Sequence, residues 1–241
     1  MREARSRLIV ALDLPDREAA LAAIDRLSGH VGYFKLGLEI FTSEGPALVR
    51  EIISRGEKVF LDLKLHDIPN TVAGAVRSAC LLGADMITLH AAGGRKMLEA
   101  AREAAQAASK PPLLLAVTAL TSLTPEDTLS VGVGTSITLW AERLAELALQ
   151  AGIPGIVTSS QELPGLRVKF GPAFQYVIPG IRPTGSPSQD QARTATPAAA
   201  ISSGADFLVV GRPILQAADP ARVADQIVDE IAATSSGYEK P

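Results

Sequence analysis

Val59-Phe60-Leu61-Asp62-Leu63-Lys64-Leu65 places two opposite charges in an otherwise apolar run. From Leu61 onward the run alternates with period two, so as a strand it puts three leucines on one face and Asp62 and Lys64 on the other. Alone, such a strand would be half exposed with a solvated polar face. The rest of the chain argues otherwise. Further strand-like runs span Leu8 to Asp13, Tyr33 to Gly37, Met86 to His90, Leu113 to Thr118, Gly155 to Ser159, Phe174 to Ile178 and Phe207 to Gly211.

Between these runs lie helical patterns such as Arg17 to Leu27, Arg95 to Ala107 and Ser136 to Gln150, with apolar residues at three- and four-residue spacing. Gly56, Gly83, Gly152 and Gly204 each follow a helical pattern and precede a strand, as helix C-terminal glycines do. Eight parallel strands with eight crossovers in 241 residues predict a (β/α)₈ TIM barrel of class α/β, since an open doubly wound sheet has five or six strands. No linker interrupts the pattern, so residues 1–233 read as one barrel domain and residues 234–241 as a small, polar, disordered tail.

Composition agrees with that architecture. The chain is 47% hydrophobic but only 4% aromatic, so its core is built from Ala, Leu, Ile and Val, which suit helix-on-sheet layers. A net charge of −3 offers no field to hold nucleic acid or an anionic membrane, and no apolar stretch approaches the roughly 20 residues that span a bilayer. The basic start is followed by an apolar run broken by Asp13, which argues against a signal peptide. The single Cys80 cannot form an internal disulfide and reads as a small buried residue in a cytoplasmic protein.

In a closed barrel the face opposite the leucines points inward, where ionised groups are costly unless paired. Lys35 in the neighbouring strand and Asp67 just beyond Lys64 can join Asp62 and Lys64, making an alternating array of two ammoniums and two carboxylates. Such an array stabilises a developing carbanion, with Lys64 placed to protonate it. Chemistry on this fold sits at the C-terminal strand ends. Polar residues recur there: Asp13, Lys35, Asp62 and Lys64, His90, Thr118, Ser159 and Ser160, Arg182 and Arg212. Taken singly, Asp13 could equally cap a helix, Thr121 and Ser122 could shape a turn, and His90 reads as a barrel-rim histidine.

The last two strands run into Gly180-Ile181-Arg182 and Gly211-Arg212-Pro213. Loops at this position often hold phosphate: Gly211 lets an oxyanion approach the backbone, Arg212 supplies a planar donor fork, and Pro213 suits a helix start. The stretch from Pro183 to Gln191 has the composition of a mobile surface loop.

Asp62-Leu63-Lys64-Leu65-His66-Asp67-Ile68-Pro69-Asn70-Thr71 resembles the signature of the orotidine 5′-phosphate decarboxylases, the enzymes of the last step of UMP synthesis. The Asp-x-Lys-x-x-Asp core is shared with related sugar-phosphate enzymes, whereas the His-Asp-Ile-Pro-Asn-Thr continuation is far more specific. Further similarity runs through Ala11-Leu12-Asp13, Lys35-Leu36-Gly37, Leu120-Thr121-Ser122, Pro179-Gly180-Ile181-Arg182, Asp190-Gln191 and Val210-Gly211-Arg212-Pro213, with no departure at a position the family uses.

The resemblance implies a barrel that decarboxylates orotidine 5′-phosphate with no metal and no organic cofactor. It assigns Lys64 as counter-charge and proton donor, Asp62 beside the departing carboxylate, and Lys35 and Asp67 to hold the array. Asp13 and Lys35 would meet the ribose hydroxyls, Ser122 the pyrimidine, and Arg182, Gly211 and Arg212 the phosphate, with Thr121 also among the substrate-binding residues. The loop would close over that phosphate through Gln191, and a homodimer would send Asp67, Ile68 and Thr71 into the partner's site. Two rivals stand beside it: a magnesium-dependent sugar-phosphate decarboxylase or hexulose-phosphate synthase, with Glu39 as the spare acid, and a silent nucleotide-binding barrel.

Overall fold

A computed structural model describes residues 1–183 and 194–235. Eight strands close in chain order into a parallel barrel: β1 (Leu8–Ala11), β2 (Tyr33–Leu36), β3 (Val59–Leu65), β4 (Met86–His90), β5 (Leu113–Val117), β6 (Gly155–Val157), β7 (Gln175–Ile178) and β8 (Phe207–Val210). β8 pairs back on β1, so no strand edge is left open. The expected runs all appear, five of them one or two residues shorter at their C-terminal ends, where the chain turns into site loops.

The helices are α1 (Arg2–Ser6), α2 (Arg17–Leu27), α3 (Leu38–Ser54), α4 (Pro69–Leu82), α5 (Arg95–Gln106), α6 (Pro125–Ser130), α7 (Ile137–Gln150), α8 (Leu163–Phe170), α9 (Pro197–Ser202), α10 (Arg212–Leu215) and α11 (Pro220–Ser235). α11 continues through Thr234 to Ser235, two residues past the expected end of the domain. Gly56, Gly83, Gly152 and Gly204 have φ of 86°, 88°, 73° and 98°, the left-handed geometry that ends a helix without a Cβ clash.

Strand alternation divides the core in two. Leu8, Val10, Phe34, Leu36, Val59 and Leu61 face outward and pack with helix residues such as Ile24, Leu48, Ile52 and Val76. Ile9, Ala11, Phe60, Met86, Leu115, Val177 and Val209 form a separate cluster drawn from the strands alone, which fills the barrel. Cys80 is half-buried on α4, and burial pushes its thiol pKa up. No helix among the described residues is long and apolar enough to cross a membrane.

Candidate active site

A cavity of about 250 Å³ opens at the C-terminal ends of the strands. Its floor is apolar, from Ala11, Phe60, Val117, Val157 and Val209, and its walls carry Asp13, Lys35, Asp62, Lys64, Thr121, Thr158, Arg182 and Arg212.

The charged groups come from three neighbouring parts of the barrel: Asp13 just after β1, Lys35 on β2, and Asp62 and Lys64 on β3. The register Ala11↔Lys35↔Phe60 brings Lys35 between β1 and β3. Its Nζ lies 3.2 Å from Asp13 Oδ1 and 3.4 Å from Asp62 Oδ2. Lys64 Nζ donates to both Asp62 oxygens, at 2.9 and 3.0 Å. A buried carboxylate is thus bracketed by two ammoniums. Burial alone would raise the pKa of Asp62; Lys35 and Lys64, with hydrogen bonds from Lys64 and Thr88, outweigh it and hold the carboxyl below its ordinary value.

β3 is not the unbroken strand that its alternation suggests. Its register on β4 runs Phe60↔Met86 and Leu61↔Ile87, then slips to Leu65↔Leu89. Within the slip Lys64 has φ 50°, the positive φ that a side chain tolerates poorly. The leucines keep their common face, with Leu63 and Leu65 packed on the outer core, but Lys64 reaches the cavity through a bulge.

Other polar strand-end residues turn away. Thr118 donates to the Val157 carbonyl at 3.1 Å, and Ser159 donates to Glu162. His90 is half-buried with its ring 5.3 Å from that of His66. Burial, then His66 and Lys64, lower its pKa against the opposing pull of Asp62. Asp16, not Asp13, caps α2 by accepting the Ala19 N–H at 2.9 Å, which leaves Asp13 to Lys35.

At the phosphate end of the expected site, Arg182, Gly211, Arg212 and Pro213 line one side of the cavity. The Arg182 N–H bonds the Ala195 carbonyl at 2.9 Å, tying the two flanks of the loop together. Gln191 and the rest of 184–193 lie outside the described residues.

A family model described as orotidine 5′-phosphate decarboxylase / HUMPS family matches residues 6–227. The chain belongs to this family. Among curated relatives, the orotidine 5′-phosphate decarboxylase of Moorella thermoacetica is 50% identical over 234 residues, covering 95% of this chain and 93% of the relative. The enzyme of that name from Saccharophagus degradans is 46% identical, at 96% and 97% coverage. A crystal structure of orotidine 5′-phosphate decarboxylase from Lactobacillus acidophilus superposes with a TM-score of 0.84 at 35% identity, over 93% of this chain and 98% of that one.

The decarboxylase family signature is divided by the structure. Its Asp62-x-Lys64 part lines the cavity, while His66, Asp67, Ile68, Pro69, Asn70 and Thr71 are exposed and do not. Asp67 accepts the N–H of Ile68 at 2.6 Å and stands apart from the array of its own chain, so within one chain the array is Asp13, Lys35, Asp62 and Lys64. Thr121 lines the cavity from a turn closed by Leu123 N–H to the Leu120 carbonyl; Ser122, in the same turn, does not. Glu39 is exposed at the start of α3 and stays outside the cavity.

Two polar residues escaped the sequence reading: Thr158, which lines the cavity, and Thr88, which lies behind the array, is fully buried and donates to Asp62 Oδ1 at 3.0 Å. Thr88 was readable as the polar residue sharing the Met86 phase of β4, next to the charged strand.

Proposed function

We propose that this chain decarboxylates orotidine 5′-phosphate to UMP and carbon dioxide, the closing step of pyrimidine nucleotide synthesis, using its own side chains as the catalytic groups. The observation that carries the reading is one cavity joining a Lys35–Asp62–Lys64 array to two arginines, in a chain 50% identical to a relative of that name over 93% of the relative's length.

Breaking the bond from C6 to the carboxylate leaves its electron pair on C6, in the ring plane and without a delocalised sink. Fixed charge must stabilise it. Lys64, already ionised against Asp62, supplies that charge and then the proton that completes UMP; the amine regains a proton from solvent. Asp62 stands beside the departing carboxylate, and Lys35 is held between Asp13 and Asp62, where Asp13 and Lys35 also meet the ribose hydroxyls.

At the far end, Gly211, Arg212 and Arg182 take the phosphate. Among the described residues the buried Nε of Arg182 and the buried Oγ1 of Thr158 have no hydrogen-bond partner, as expected of groups awaiting a polar ligand. Ser122 belongs to the base end and Thr121 to the substrate contacts, and Gln191 to a loop that closes on the phosphate and spends remote binding energy on assembling the site. The exposed Asp67, Ile68 and Thr71 suit a homodimer in which they complete the partner's cavity, working in the cytoplasm.

The test follows the loss of orotate absorbance when purified protein meets orotidine 5′-phosphate, with and without excess EDTA. Turnover that survives the chelator is expected. No turnover would overturn the reading, and turnover lost to EDTA and restored by magnesium would favour the metal-dependent branch.

A further inference from the structure

Thr88 lies on β4, wholly buried behind the cavity. Its Oγ1 accepts the Lys64 N–H at 2.8 Å and donates to Asp62 Oδ1 at 3.0 Å. These two contacts fix the direction of the hydroxyl. An amide N–H only donates and an ionised carboxylate only accepts, so the proton of Thr88 belongs on the Asp62 side.

The amide that Thr88 receives sits in an unusual place. The β3–β4 register slips between Leu61 and Leu65, and Lys64 there holds φ 50°. A bulge takes its residue out of the regular ladder and leaves the N–H in need of another acceptor. Thr88 supplies that acceptor. Strain of this kind persists where surrounding contacts over-determine it.

We propose that Thr88 is a positioning residue for the decarboxylation: a single hydroxyl clamps the bulged backbone of Lys64 to the carboxylate of Asp62 and thereby sets where the Lys64 ammonium stands. Valine at this position would keep the shape but leave the Lys64 N–H without an acceptor and Asp62 with one donor fewer. Serine would keep both bonds. The inference rests on the function proposed above, so the unaltered protein is assayed beside each variant.

In Thr88→Val, kcat should fall at least about 10-fold while KM moves less than about 3-fold, because the loss affects the reacting groups rather than the phosphate contacts. Thr88→Ser should stay within about 3-fold of the unaltered protein in both constants. Exchange of the Lys64 amide, followed by NMR without any turnover, should quicken in the valine variant and not in the serine one. If valine impairs folding, Thr88→Cys, similar in reach but a weak donor and acceptor, takes its place.

Unchanged kcat in Thr88→Val, equal losses in the valine and serine variants, or unchanged Lys64 amide exchange would each overturn the inference. An unaltered protein without turnover overturns the proposed function instead, and amide exchange still decides whether the clamp exists.

Discussion

Lys64 Nζ sits 2.9 and 3.0 Å from the two carboxylate oxygens of Asp62, so the ammonium meets the carboxylate between its oxygens. The pair stands at the mouth of the barrel, with the lysine side chain 30% exposed and the aspartate side chain 12%. Each charge fixes the other, and the lysine end is the one a substrate can reach.

Lys64→Ala should therefore abolish most turnover without unfolding the barrel. Asp62 keeps Lys35 and Thr88 as partners, so the loss is chemical: kcat should fall at least about 10³-fold, combining proton donation with electrostatic stabilisation. Orotate absorbance reports the rate and circular dichroism the fold. A folded variant with undiminished kcat would remove Lys64 from the mechanism.

Asp62→Asn tests the other half of the pair. It leaves Lys35 and Lys64 facing each other without the carboxylate between them, and urea titration at neutral pH should show a loss of about 3 kcal/mol. The pH dependence carries a sign. Because the folded pKa of Asp62 is lowered, its contribution is complete above the unfolded value of about 3.9 and is lost as pH falls toward the folded value. Acid titration of the variant should lack that component. A variant as stable as the unaltered protein throughout would show that the array contributes nothing to the fold.

The barrel was legible because most strands are short apolar runs and four helices end where Gly56, Gly83, Gly152 and Gly204 turn left-handed, signals that depend only on local sequence. The array was legible for a related reason: alternation puts Asp62 and Lys64 on one face, and closure makes that face internal. Other features depend on neighbours that alternation does not report. The bulge at Lys64 shows only in the β3–β4 register, and Thr88 gains its role from two groups on the next strand. Asp67 lies three residues from Lys64, yet the chain turns outward after β3 and carries it to the surface.

Arg212→Ala separates phosphate recognition from the reacting groups. Arg212 and the Lys64 array line the same cavity, but the proposed reading gives the arginine no contact with C6. Its removal should lower kcat/KM for orotidine 5′-phosphate by about 10- to 100-fold, the worth of a charged hydrogen bond. Turnover of the nucleoside without phosphate should hardly change. Equal losses on both substrates would place the arginine elsewhere in the mechanism.

Gly155→Ala examines the barrel interior. A Cβ on Gly155 would stand 2.6 Å from Leu115 Cδ2 and 3.1 Å from the Gln175 carbonyl oxygen, because the leucine of β5 occupies the space that β6 leaves empty. Over-packing should destabilise the protein by about 1–3 kcal/mol in urea. Combined with Leu115→Ala, the loss should be smaller than the sum of the two single losses, as expected when two changes share one space. A neutral Gly155→Ala would mean that β6 shifts freely.

The positive φ of Lys64 makes a prediction that reverses the usual order of residues. In most strand positions glycine is less stable than alanine, because it loses more backbone freedom on folding. At φ 50° alanine carries the same Cβ clash as lysine, while glycine carries none. Lys64→Gly should therefore exceed Lys64→Ala in stability by about 1 kcal/mol, although both lack the ammonium and both should be inactive. Comparing the two variants cancels the loss of the ion pair with Asp62 and isolates the backbone. Urea midpoints measured side by side decide it: alanine equal to or above glycine would mean that the bulge relaxes once the lysine is gone, so that its side-chain contacts impose the conformation.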